Sequence, residues 1–166
     1  MCIVITLNLS YCKNIDSGDI TEQLVSSITN KEIIALTPNS VASYFNFLTP
    51  SVKVDSGGQF LTIVNTDSSN RIFKSLKAEF KKDSNQSQRE TLFSLEIILS
   101  FDSAEQYKSF RNRIRDHFGI DGHPIGFKNG TGEEWYIEKF YYLLLSHTNQ
   151  KPEEVSIKIH INEGYD

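Results

Sequence analysis

The clearest structural signal in this chain is the segment Thr91-Leu92-Phe93-Ser94-Leu95-Glu96-Ile97-Ile98-Leu99-Ser100-Phe101. Apolar side chains occupy every second position from Phe93 to Phe101, and Ser94, Glu96 and Ser100 lie between them. Successive side chains of a strand point to opposite faces of the sheet. The segment is therefore predicted to be a β-strand with one buried face and one polar face.

Other segments are predicted to be strands for the same reason. Residues 2–9 and residues 155–162 alternate in the same way, and Ile33 to Leu36 is a short apolar run. The paired glycines Gly57-Gly58 separate two more apolar segments, residues 52–54 and 60–64. Because glycine accepts the backbone angles of a tight turn, these segments are expected to form a hairpin.

Five helices are predicted from apolar side chains that recur at helical spacing and from capping residues. They cover residues 19–30, 39–48, 71–82, 103–118 and 133–147. Thr37 and Pro38 are suited to begin the second helix, Asp102 caps the fourth, and Gly119 ends it.

Strands with one apolar and one polar face are typical of a sheet that helices cover on one side. We therefore expect an α+β fold, a two-layer sandwich with a mixed or largely antiparallel sheet and helices mainly on one face. The length of 166 residues suits one domain. Because no linker or internal repeat is visible, residues 1–166 are predicted to form a single globular domain.

The composition indicates a globular protein in a reducing compartment. Apolar residues make up 39% and charged residues 23% of the chain. The two cysteines, Cys2 and Cys12, have neither the number nor the spacing of a disulfide framework or a cysteine-based zinc site. The apolar run from Cys2 to Leu9 is too short for a signal sequence or a membrane span. A cytoplasmic location without membrane contact is therefore predicted.

The segment from Gly119 to Gly132 contains five of the nine glycines and is interpreted as a loop. Long irregular loops in compact domains are commonly functional. One alternative function is accordingly a small hydrolase-type enzyme with its site in loop 119–132. His123 would be the general base, Asp121 its orienting carboxylate and Lys128 an anion stabiliser. The other interpretation is a structural loop pinned over the core.

A metal site is a further possibility at the start of this segment and in the residues just before it. His117, Asp121 and His123 lie within seven residues, and imidazole and carboxylate are ligands of first-row metals. A fourth ligand is missing, and a histidine in the last turn of a helix is also favoured by the helix dipole alone. The sequence therefore predicts no metal and no cofactor.

Basic residues are concentrated in the middle of the chain. Residues 71–128 contain eleven Lys and Arg against eight Asp and Glu, so this part carries +3 and the remainder −7 of the net charge of −4. Phosphate contacts come from Lys and Arg. A second alternative function is therefore nucleic-acid binding by the predicted helices 71–82 and 103–118. Its candidate residues are Lys74, Lys77, Lys81, Lys108, Arg111 and Arg115.

The predicted helix 133–147 is apolar on nearly its whole circumference, so part of it is expected to meet another chain. Trp135 and Tyr142 are the candidate contact residues, because aromatic side chains are enriched in interface cores. The alternative is a central helix wrapped by the glycine-rich loop. With no clear catalytic constellation, the favoured function is a non-catalytic protein-binding domain. It would be a small acidic inhibitor or immunity-type protein, or a protein that associates with itself.

Overall fold

The computed structural model describes residues 17–48, 52–57, 59–66, 71–82, 90–137 and 141–161. The predicted strand at residues 2–9 and both cysteines lie outside these ranges. Eight strands form one sheet: β1 Val52–Gly57, β2 Phe60–Asn65, β3 Phe73–Lys82, β4 Glu90–Ser100, β5 His123–Phe127, β6 Gly130–Ile137, β7 Tyr141–Thr148 and β8 Glu154–Ile161.

The strands lie in the order β1-β2-β3-β4-β8-β7-β6-β5, and every neighbouring pair is antiparallel. Helices pack on one face of this sheet, so the predicted α+β two-layer architecture is confirmed. The two predicted strands of the Gly57-Gly58 hairpin, the strand at residues 91–101 and the strand at residues 155–162 are all present, with ends shifted by a few residues.

The helical layer contains α1 Ser17–Thr29, α2 Pro38–Tyr44 and α3 Ala104–Phe118, with 3-10 turns at Lys31–Ala35 and Asn46–Leu48. The strand predicted at residues 33–36 is therefore wrong. Ser103, rather than Asp102, caps α3 by accepting a hydrogen bond from the backbone N–H of Gln106. Gly119 ends α3 in the left-handed conformation, with a φ of 67°, as predicted.

The core lies between the helices and the covered face of the sheet. One row of side chains crosses six strands on this face, and each member is at most 5% exposed. The row consists of Leu61, Ala78, Leu95, Ile159, Leu143 and Trp135. Phe110 and Ile114 of α3 are buried against this layer.

The predicted helix 71–82 is wrong, because these residues form strand β3. Its register against β4 shifts between Phe73 and Ser75 and again between Glu79 and Phe80. At the first bulge the buried positions change from Phe73 to Leu76, a spacing of three residues. This irregularity produces the apolar spacing that was interpreted as helical.

The predicted helix 133–147 is also wrong, because strands β6 and β7 occupy this segment. The glycine-rich segment 119–132 is not an irregular loop, since β5 and the start of β6 form a hairpin there. Gly132 serves the sheet: a Cβ at this position would lie 2.6 Å from the carbonyl oxygen of Leu145. The glycine thus permits the close approach of β7.

Candidate functional site

The three residues of the predicted enzyme site, His123, Asp121 and Lys128, do not contact one another, and each has different neighbours. The ring of His123 lies 6.4 Å from that of Tyr136, on the face without helices, and the imidazole is exposed. The Asp121 carboxylate lies 3.7 Å from Nε of Arg115. Lys128 is at the other end of β5, about 16 Å along the strand from His123. The three side chains therefore do not form the proposed base, orienting carboxylate and anion stabiliser.

The residues considered for a metal are also dispersed. His117 lies in the last turn of α3, with its ring 5.6 Å from that of Phe118, whereas Asp121 and His123 have the neighbours given above. Within the part of the chain that the structure describes, no three His, Cys, Asp or Glu side chains are grouped so that they could hold a metal ion.

The basic residues considered for nucleic-acid binding lie on two sides of the sheet. Lys77 and Lys81 belong to β3, and each ammonium group lies over an aromatic ring on the face without helices. Arg111 and Arg115 belong to α3, on the covered side, together with Lys108. Lys74 lies on β3 beside its first bulge. Because the sheet separates the two groups, they do not form one phosphate-binding surface.

Trp135 was expected at an interface with another chain, but it is only 1% exposed. Its indole N–H donates to the backbone carbonyl of Ile120 at 3.2 Å, and its ring packs 6.3 Å from that of Phe118. The indole therefore holds the hairpin β5–β6 against α3 and is not a surface contact. The side chain of Tyr142 lies outside the described part of the structure.

A cleft between α3 and strands β5 to β7 contains a group of polar residues that was not predicted from the sequence. It has a volume of about 500 Å³. Its polar side chains are those of Tyr107, Arg111, Thr131, Glu133 and His147. Strand pairing was needed to find this cluster, because its members are spread over 41 residues and three elements.

The groups in the cleft are paired with one another. The Arg111 guanidinium donates to the Glu133 carboxylate, and this bond raises the pKa of Arg111. His147 Nε2 lies 3.3 Å from the Thr131 hydroxyl, whereas His147 Nδ1 faces the carbonyl of Thr148 at 3.4 Å. Among the described residues, no carboxylate orients this imidazole as a nucleophilic triad would require.

Tyr107 of α3 completes the cleft. Its ring lies edge-on to that of His147 at 5.4 Å. Burial raises the pKa of the Tyr107 phenol, and the nearby Glu133 carboxylate adds to the rise. The cluster accordingly joins α3 to the hairpin through the bond between Arg111 and Glu133.

The opposite face of the sheet, which we call the open face, has no helix over it among the described residues. Its centre carries charged groups on neighbouring strands. Lys158 Nζ lies 3.2 Å from Glu96 Oε1, and the Ser156 hydroxyl donates to the same oxygen at 3.1 Å. The Ser94 hydroxyl donates to Glu79 at 3.2 Å. Positive and negative charges thus alternate across this part of the face.

Apolar and aromatic side chains lie on both sides of this charged centre. Phe60 and Val64 of β2 are 40% and 41% exposed. At the other side, Phe127 of β5 is 47% and Tyr136 of β6 is 58% exposed. The side chain of Phe93 also lies on this face, under the ammonium group of Lys81 at 3.3 Å, although the sequence pattern aligned Phe93 with the core.

A comparison of the chain with models of protein families, with curated proteins and with solved structures finds no match. Among the described residues, no helix has the length and apolar character needed to cross a membrane.

Proposed function

We propose that the chain is a non-catalytic protein-binding domain that docks its partner on the open face of the sheet. One observation carries this proposal. Five large apolar side chains are exposed in the described part of the chain, and four of them, Phe60, Val64, Phe127 and Tyr136, lie on this one face. These side chains lie on both sides of the charged centre of the face, and aromatic residues such as Phe60 and Tyr136 are enriched at protein interaction sites.

The charges of the open face support a protein partner over a nucleic acid. Lys158 on β8 is paired with Glu96 on β4. Lys77 lies directly opposite Glu96 on β3, the other neighbour of β4. A phosphate backbone would meet these carboxylates as well as the lysines, which opposes binding. A protein surface with mixed charges can match both signs.

The kind of partner is either a different protein, as for an inhibitor or immunity-type protein, or a second copy of the chain. The acidic excess outside residues 71–128 supports the first, and the balanced charges of the open face support the second. A cytoplasmic site of action is part of the proposal. The chain has two cysteines, and their number and spacing are not those of a disulfide framework.

The test compares equally exposed apolar residues on and off the open face. The immobilised chain is incubated with an extract of the organism that encodes it, and the captured proteins, including copies of the chain itself, are identified by mass spectrometry. Tyr136→Ser and Phe60→Ser are expected to reduce capture at least about tenfold, as the loss of an aromatic side chain buried in an interface does. Ile120→Ser is the matched control, because Ile120 is 57% exposed but lies after α3, away from the open face.

Capture that is lost in both open-face variants and kept in the Ile120→Ser variant supports the proposal. Equal capture by all three variants and the unaltered chain contradicts it, since the bound proteins would then not contact the open face. Melting curves of each variant establish that the comparison is made between folded proteins.

A further inference from the structure

Resting on the proposed function, we infer that the partner on the open face is a second copy of this chain. The two sheets would stack face to face about a two-fold axis that runs parallel to the strands, midway between β4 and β8. Such an interface is isologous, so the same surface is used by both copies.

The strand order makes this arrangement self-complementary. The line between β4 and β8 divides the sheet into four strands on each side. Rotation by 180° about an axis above this line keeps the position along a strand and exchanges β4 with β8, β3 with β7 and β2 with β6. Each residue of β4 therefore meets the residue of β8 that is its own neighbour in the sheet.

The charges at the centre fit this exchange. Glu96 and Lys158 are registered opposite each other on β4 and β8. In the stacked pair, Glu96 of one copy lies over Lys158 of the second copy, and this contact occurs twice. Their side chains are 37% and 42% exposed, so their charged ends are accessible from the open side. Ser94 and His160, the next registered pair, meet in the same way.

The exposed aromatic residues also fit. Phe60 and Tyr136 belong to one row of paired backbone positions across the sheet, through Glu79, Ser94, His160 and Tyr142. Because the rotation exchanges β2 with β6, Phe60 of one copy lies over Tyr136 of the second copy. Stacked sheets cross at about −30°, so at this distance from the axis the two rings are offset by about two residues along the strands.

The area of the face is sufficient for a dimer. Eight strands spaced about 4.8 Å apart span about 34 Å, and six residues along a strand extend about 20 Å. Two such faces bury about 1,300 Å² in total, within the range of about 1,200–2,000 Å² that specific interfaces use.

The experiment uses charge reversal in two separate chains. Glu96→Lys places like charges over each other in a dimer of that variant, and Lys158→Glu does the same. Analytical ultracentrifugation is expected to show a dimer for the unaltered chain and a dimer constant weakened by on the order of 100-fold for each variant alone. An equimolar mixture of the two variants is expected to form a dimer again.

The mixture separates contacts between copies from contacts within one copy. In the mixed dimer, each chain still has like charges at positions 96 and 158, but opposite charges face each other across the interface. The matched control is the pair Glu105→Lys and Lys108→Glu, at exposed positions on α3. Alone and mixed, these control variants are expected to dimerise as the unaltered chain does.

An unaltered chain that is monomeric up to millimolar concentration overturns the inference, and so does a dimer that neither variant weakens. Variants that are monomeric alone and stay monomeric when mixed also overturn it. The proposed function has a separate outcome. If the chain is monomeric but captures a different protein through Phe60 and Tyr136, the open face binds a partner and only the identity proposed for that partner is wrong.

Discussion

The two faces of the sheet come from the same strands but differ in what their side chains do. On the covered face, Ile97 is fully buried and registered between Leu76 and Ile157. One residue along the same strand, Ile98 lies on the open face and is only half-buried. The covered face supplies the stability of the fold, whereas the side chains of the open face remain partly accessible.

The largest expected effect comes from substituting these two neighbours. Ile97→Ala should lower the free energy of unfolding by about 2–5 kcal/mol, because it removes buried methyl groups and leaves a cavity in a packed core. Ile98→Ala should lower it by less than about 1 kcal/mol, since a half-buried side chain loses less. Urea denaturation of both variants measures the difference, at protein concentrations too low for association. Equal losses would show that both faces are covered.

A smaller effect tests how the covered face is joined to its helix. Arg111→Met leaves Glu133, whose side chain is 17% exposed, without its cation. The free energy of unfolding should fall by about 1–2 kcal/mol, because an unpaired, largely buried acceptor retains its desolvation penalty. Arg115→Met is the control, since its partners Asp116 and Asp121 are 71% and 81% exposed, and it should cost less than about 0.5 kcal/mol.

Equal losses of stability in the two arginine variants would contradict this difference and indicate that the Arg111–Glu133 pair is solvated like an ordinary surface pair. Both variants keep the aliphatic part of the side chain, so the comparison concerns the charge and not the packing of the stem.

The two-face comparison also explains which parts of the fold could be predicted. Strand β4 alternates regularly from Leu95 to Leu99, and its type was predicted from sequence alone. Strand β3 was predicted to be a helix because the bulge between Phe73 and Ser75 breaks the alternation of its buried residues. A bulge is specified by pairing with the neighbouring strand, and that information is not contained in the local pattern.

Strands β6 and β7 were misinterpreted for a different reason. Trp135 lies on the covered face and Tyr136 on the open face, and Leu143 and Leu144 repeat this arrangement. When both faces of a strand are apolar, no period of two is visible, and residues 137–141 contain no Gly, Pro or Asn to indicate a turn. Of the two residues predicted to be exposed in this apolar segment, Trp135 and Tyr142, Trp135 is buried.

The polar cleft could not be predicted, because Tyr107, Glu133 and His147 come together only through the pairing of β6 with β7 and the packing of α3. The same holds for the centre of the open face. Glu96 was predicted to lie on the polar side of its strand, but its pairing with Lys158 depends on the register between β4 and β8.

The smallest expected effect is a pH dependence that arises on the open face. Burial lowers the pKa of His160, and Lys158 on the same strand adds to this, whereas Glu79 on β3 and Glu96 on β4 oppose it. Because the pKa is lower in the folded chain than the ordinary value of 6.5, the unfolded chain binds the proton first as the pH falls. The stabilisation is therefore complete above about pH 6.5 and is lost as the pH falls through the pKa of the folded chain.

His160→Gln removes this titration, so its melting temperature should fall less than that of the unaltered chain between pH 7.5 and pH 5. Both proteins contain the same carboxylates, so the contribution of these groups to the pH dependence cancels when the two melting temperatures are subtracted. His117→Gln is the matched control, because His117 is exposed on α3, and its melting temperature should follow the unaltered chain. An unchanged pH dependence in the His160→Gln variant would show that this imidazole does not respond to the open face. A reduced dependence in the His160→Gln variant but not in the His117→Gln variant assigns the titration to His160, one strand from Glu96.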